Sequence, residues 1–156
     1  MQAEIKKIIA RLESTDKGNP WFGRPVLELL EEFPSANAFT APAANSHSAA
    51  ALLWHMISWA EFVLHRLEGS ARYDNSEMEA LDWRPLDPEQ HSWKKGIARY
   101  KKVQKAIVQL LQTKEDSFLT QTVQYRTYDF HWLLNGLAEH TIYHAGQIAY
   151  LLKLVS

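Results

Sequence analysis

His140 and His144 stand four residues apart, with Thr141, Ile142 and Tyr143 between them. On a helix this spacing puts both imidazoles on one face, one turn apart. The rise between them is about 6 Å, and both side chains can lean onto one ion. His55 is a third imidazole of the same kind. It belongs to the stripe Leu52, His55, Met56, Trp59, Phe62 and Val63, which reads as the inner face of another helix. Three nitrogen ligands leave coordination positions open for water or substrate. That is the pattern of a reactive metal site, whereas a structural site is closed. The residues alone also allow a plainer reading, in which the histidines are core residues bonded to side chains or backbone. Burying an imidazole without any partner costs a few kcal/mol, so one of the two arrangements must satisfy them.

The remaining histidines make weaker candidates. His47 falls near a helix start, about two turns before His55, where capping or a surface role fits better than lining a pocket mouth. His65 is next to Arg66 near a helix end and reads as solvent-facing. His91 and His131 lie near helix starts without an identifiable partner. Glu139 precedes His140 and is rotated about 100° from it, so it points elsewhere. Glu61 is placed on a flank of its helix. Neither is assigned as a general base, and the catalytic residues stay unknown. No Ser/His/Asp order, glycine-rich phosphate loop or HExxH motif is present. The tryptophans mostly fit core packing at helical spacing.

The elements that must position these groups are helical. Ile5, Ile8, Ile9 and Leu12 mark a helix over about 2–15, ended by Gly18, Asn19-Pro20 and Gly23. A short helix follows over about 24–33, before Pro34. Residues 34–45 read as a loop, with Asn45 or Ser46 as cap for a helix that runs over about 46–68 and stops at Gly69. A long link, 69–88, leads to a third long helix over about 89–113, and a last one covers about 129–154. Val123 to Tyr128 has some β-type residues but is short and isolated. The long link can cross the end of a bundle, which favours parallel second and third long helices. The expected fold is therefore all-α, a four-helix bundle of up-down-down-up order with an extra short helix after the first. It forms one domain over 1–156. The pocket is expected from the loops 34–47, 69–88 and 114–128.

Composition narrows the function classes. Hydrophobic residues make up 46% and charged residues 22%, an ordinary globular balance. The net charge of -1 gives no broad basic surface, so no nucleic-acid partner is expected. Lys94-Lys95 and Lys101-Lys102 read as solvated helix faces. The chain has no cysteine, which excludes disulfides, thiolate-bound zinc, iron–sulfur clusters and a cysteine nucleophile. A bound metal must take nitrogen or oxygen ligands. The first residues lack a signal-peptide core, and no apolar run is long enough for a bilayer. No membrane association and a cytoplasmic location are expected.

Several motifs carry a resemblance. His47-Ser48, Leu52-Leu53-Trp54-His55, Trp59-Ala60-Glu61 and Arg66-Leu67-Glu68-Gly69 are similar to the second-helix pattern of the DinB/YfiT-like superfamily. Gly136-Leu137-Ala138-Glu139-His140 followed by Tyr143-His144-Ala145-Gly146-Gln147-Ile148 resembles its last-helix signature. Trp21-Phe22-Gly23 fits one branch. The resemblance implies a four-helix bundle, usually a homodimer. It implies a divalent metal, nickel or zinc, held by His55, His140 and His144. It also implies either of two activities: transfer involving a low-molecular-weight thiol such as bacillithiol or mycothiol and a small electrophilic substrate, or metal-dependent hydrolysis. A different class stays open beside the enzyme: a non-catalytic metal-binding or dimerisation module, in which the ion fixes two helices. Access to the open coordination position separates the two.

Overall fold

The computed structural model describes residues 2–156, and among them every extended element is helical. Six α-helices follow one another: α1 (Ala3–Lys17), α2 (Val26–Glu32), α3 (Ala49–Leu67), α4 (Asn75–Asp82), α5 (Trp93–Leu111) and α6 (Phe130–Val155). Val123 to Tyr128 forms no strand. An isolated bridge between Thr122 and Asp129 flanks it, and the Val123 amide donates to the Tyr128 carbonyl. No helix among the described residues is long and apolar enough to cross a membrane.

Local chemistry sets the helix ends. Ser48 caps α3 by accepting from the Ala51 amide. The sequence had pointed to Asn45 or Ser46, but Ser46 turns back onto Ala43 and Asn45 adopts a positive φ of 61°. Gly69 ends α3 as expected. Its φ of +73° lies in the left-handed region, where a side chain is strained. Ser92 caps α5 and delays its start to Trp93, because the stretch before it closes as a turn from Asp87 to His91.

The largest departure is α4, inside the link 69–88. Asp74 accepts from the Glu77 amide, and the Glu77 carboxylate accepts from the Asp74 amide. This reciprocal capping box fixes a helix start within a stretch short of apolar residues. Met78 is the one buried residue of α4, and it seats the helix on the core.

Contacts between the long helices fix their relative directions. Trp54 of α3 donates its indole N–H to the His91 carbonyl at 2.9 Å, and Glu61, two turns on, pairs with Arg99. Positions rise together on α3 and α5, so these helices run the same way. Asp16 of α1 accepts from the Tyr100 hydroxyl at 2.5 Å, while Gln2, at the other end, donates to the Gln112 carbonyl. Thus α1 and α5 run in opposite directions. On α3 and α6, His55 meets His144 whereas Trp59 meets His140, so this pair is antiparallel.

The apolar interior falls into two clusters. One joins α1, the later parts of α3 and α5 and the start of α6 through Ile5, Phe62, Leu67, Ile107 and Leu134. The other joins α2, the start of α3 and the end of α6 through Leu30, Leu53, Ile57 and Ile148. Along α6, Ala138 belongs to the first cluster and Ala145 to the second. His140 and His144 lie between them, at the seam.

Candidate metal centre

The three histidines singled out by spacing meet at that seam. One ring nitrogen from each lies within 4.8 Å of the other two. His140 Nε2 is 2.8 Å from His55 Nε2 and 3.0 Å from His144 Nε2. Two nitrogens on one zinc at 2.0–2.1 Å and a tetrahedral angle would be about 3.3 Å apart. The observed separations need only a small opening to reach that value.

Proton counting shows why the cluster suits a cation. His55 Nδ1 faces Asp82 Oδ1 at 2.8 Å. An ionised carboxylate only accepts, so Nδ1 carries the hydrogen and Nε2 presents a lone pair. His144 Nδ1 faces Gln147 Oε1 at 2.5 Å. The same reasoning applies, with the amide oriented as it stands in the structure. Two lone pairs therefore point at His140 Nε2, which holds at most one proton. His140 Nδ1 is buried and has no hydrogen-bond partner among the described residues. A cation at the convergence would satisfy all three Nε2 atoms at once. Simple His–His hydrogen bonding satisfies two of them at best.

Electrostatics favours the same state. Burial, reinforced by the charge that His144 and His55 would carry, pushes His140 down to about 3. Burial also lowers His55, although the Asp82 carbonyl and carboxylate pull the other way. Burial lowers His144 against the contact with Gln147. All three rings stay neutral at pH 7, which is the state that ligates.

Asp82 was not legible as a site residue. It ends α4, in the stretch read as a link. Its Oδ1 also accepts the Trp59 indole N–H at 2.7 Å. One carboxylate thus orients a candidate ligand and an adjacent aromatic wall, the arrangement that fixes tautomers at metal sites. Gln147 was visible in the motif but had no role in it.

The other histidines separate cleanly. His47 is exposed and stacks on one face of Trp83, 3.7 Å between centroids and 11° between planes. His55 stacks on Trp83 as well, at 3.8 Å and 6°. His47 therefore belongs to the pocket mouth. His65 pairs with Glu68, His91 accepts from the Asp87 amide, and His131 neighbours Asn135. Glu61 is engaged by Arg99 and Glu139 by Arg11, so neither faces the centre.

The expected loops do reach the site, through His47, Trp83 and Tyr128. Trp93 is buried and Trp54 and Trp59 pack against the core, but three of the six tryptophans depart from a core role. Trp21, Trp83 and Trp132 are 102%, 42% and 61% exposed, and the last two line pockets beside the histidines.

Comparison with solved structures places the fold. The colibactin self-resistance protein ClbS, solved in complex with double-stranded DNA, superposes with a TM-score of 0.72 and 19% identity, over 96% of this chain and 95% of that one. A DinB-like protein from Bacillus cereus superposes with a TM-score of 0.67 and 19% identity, over 99% of this chain and 92% of that one. The first of these corrects an expectation. A protein of this fold has been solved on duplex DNA, so a net charge near zero does not exclude nucleic acid as a partner. Among curated proteins nothing matches. The model of the DinB superfamily matches residues 23–148, and with the all-helical fold alongside that match, the chain belongs to the DinB superfamily.

Proposed function

We propose that this protein is a divalent-metal enzyme whose ion, nickel or zinc, is held by His55, His140 and His144. The observation that carries this is the convergence of three neutral Nε2 atoms with no proton set that satisfies them. A bound ion with an open position would lower the pKa of a coordinated thiol or water and so supply a nucleophile near neutral pH. Thiol-dependent transfer and hydrolysis both draw on that property. The chain's own residues do the positioning. Asp82 and Gln147 hold two rings with Nε2 inward, and Trp83 packs flat on His55 and limits water there. The cytoplasm, where low-molecular-weight thiols stay reduced, suits a cysteine-free protein of this kind.

The paired contacts support an up-down-down-up bundle of α1, α3, α5 and α6 in one domain. The homodimer implied by the resemblance is tested by light scattering, where a monomer mass at micromolar concentration overturns it.

The direct test is elemental analysis of protein purified without added metal, followed by a thiol-transfer and hydrolysis screen of the loaded form. About one equivalent of nickel or zinc, with turnover that a chelator removes, is the expected result. Metal without any turnover supports the non-catalytic module. Asp82→Ala should weaken metal affinity by about 10–100-fold, the usual range for loss of a ligand's orienting partner. Competition with a chromophoric chelator measures it, and unchanged affinity counts against the assigned role of Asp82.

A second reading rests on α5. This helix carries Lys94, Lys95, Arg99, Lys101, Lys102 and Lys105 and no acidic residue. Glu61 and Glu31 engage Arg99 and Lys101, while Lys94, Lys102 and Lys105 are exposed. With ClbS solved on duplex DNA, this face is the one to test for nucleic acid. Binding of a labelled duplex that falls with salt, and falls further in the triple variant Lys94→Glu, Lys102→Glu, Lys105→Glu, would support it. No binding at low salt would end it.

A further inference from the structure

A groove of about 210 Å³ opens beside His140. Trp59, Val63, Tyr128, Trp132 and Leu137 line it. The Tyr128 and Trp132 rings lie against each other, tilted, at 4.3 Å with planes 34° apart. The lining is apolar apart from the His140 ring at its head.

Two features mark it as built for an occupant. The first is that its walls are fixed by polar contacts at their outer edges. Trp59 is held by Asp82, and the Tyr128 hydroxyl accepts from Arg126 Nε at 3.1 Å. The second is Gly136, in the groove and one turn before His140. A glycine inside a helix costs about 1 kcal/mol relative to alanine. A close helix contact would explain it, but a Cβ built at Gly136 meets nothing within 4 Å. Its missing side chain leaves the groove open instead.

The size and shape specify the ligand class. A cavity of about 150 Å³ lined by apolar side chains accepts benzene. This groove is larger and walled by flat rings, which favour stacked or edge-on aromatic guests. We propose that it holds the planar aromatic part of the small molecule on which the histidine centre acts. This rests on reading the three histidines as a reactive metal centre.

The test uses p-cresol as probe and cyclohexylmethanol as a non-planar control, by calorimetry on metal-free and zinc-loaded protein. One p-cresol should bind per chain in both forms, with the control at least about tenfold weaker, a difference of about 1.4 kcal/mol. Gly136→Leu should weaken p-cresol at least about tenfold. Its helix content should hold and its melting temperature should not fall, since leucine is the better helix former. Gly136→Ala, a smaller change, should weaken the probe less. Gly146 lines a different groove with His47 and Tyr150, where its Cβ would also meet open space. Gly146→Leu should leave p-cresol binding unchanged. Absence of p-cresol binding overturns the inference, as does equal binding of the control or native affinity in Gly136→Leu. Metal uptake is read separately by elemental analysis. If zinc fails to load while p-cresol binds the metal-free protein, the metal centre fails and the aromatic groove stands.

Discussion

His144→Ala is expected to strip most of the metal from the protein while leaving its helices in place. His144 is 4% exposed, with Nε2 3.0 Å from His140 Nε2 and Nδ1 held by Gln147. Removing an orienting partner alone typically weakens a metal site 10–100-fold, so losing a ligand should exceed about 100-fold. The helices should survive, because α6 is anchored by Leu134, Leu137, Ile148 and Leu152 in two apolar clusters. The packing loss at the ring itself is expected at about 1–3 kcal/mol. Elemental analysis and far-UV circular dichroism read the two effects separately. His65→Ala is the matched control. His65 lies on the same helix as His55 but pairs with Glu68, so occupancy should not change. Full metal occupancy in His144→Ala would return the three rings to the role of core histidines.

The convergence of His55, His140 and His144 was legible because helical periodicity is a local property. Once Leu52, Met56 and Val63 are assigned to an inner face, His55 is carried there with them. Leu133, Leu137 and Leu151 do the same for His140 and His144. The parallel course of α3 and α5 was legible for a related reason, since a long link favours a crossing. What the sequence hid were the groups that complete the centre from outside the stripes. Asp82 belongs to α4, whose start depends on the Asp74–Glu77 capping box and not on apolar periodicity. The signal was present at Asp74, Ser76 and Glu77, but a single buried methionine gives no stripe to follow. Trp132 misled for the opposite reason. An apolar ring at helical spacing reads as core, yet Trp132 is 61% exposed and lines a pocket. The charge argument failed at a third level. A net charge of -1 averages over the whole chain, and reading Lys94-Lys95 and Lys101-Lys102 as separate pairs missed that they share one helix with six cations and no acid.

The metal-free protein is expected to lose stability as pH falls below about 6.5, and His140 should account for much of the loss. The sign follows from the direction of the shift. An imidazole in the unfolded chain titrates near 6.5, whereas burial beside two other rings pushes folded His140 down to about 3. Between these values the unfolded state binds a proton that the folded state refuses, so unfolding becomes easier as acid is added. The slope for one such group is about 1.4 kcal/mol per pH unit, which gives about 2 kcal/mol between pH 6.5 and pH 5. His55 and His144 are lowered in the same direction and add to the effect. The same shifts move the acid limit of metal binding. Exposed imidazoles would begin to lose an ion near pH 6.5, but these rings resist protonation and should keep it to lower pH. Urea titrations of chelator-treated protein at pH 7 and pH 5, compared with His140→Leu, measure the His140 contribution. Leucine fits the apolar surroundings of Trp59, Val63 and Leu137 and cannot titrate. The native chain should therefore lose about 2 kcal/mol more than the variant over that range. Equal losses in the two proteins would show that His140 is not held neutral by its surroundings, and would remove the electrostatic support for the centre.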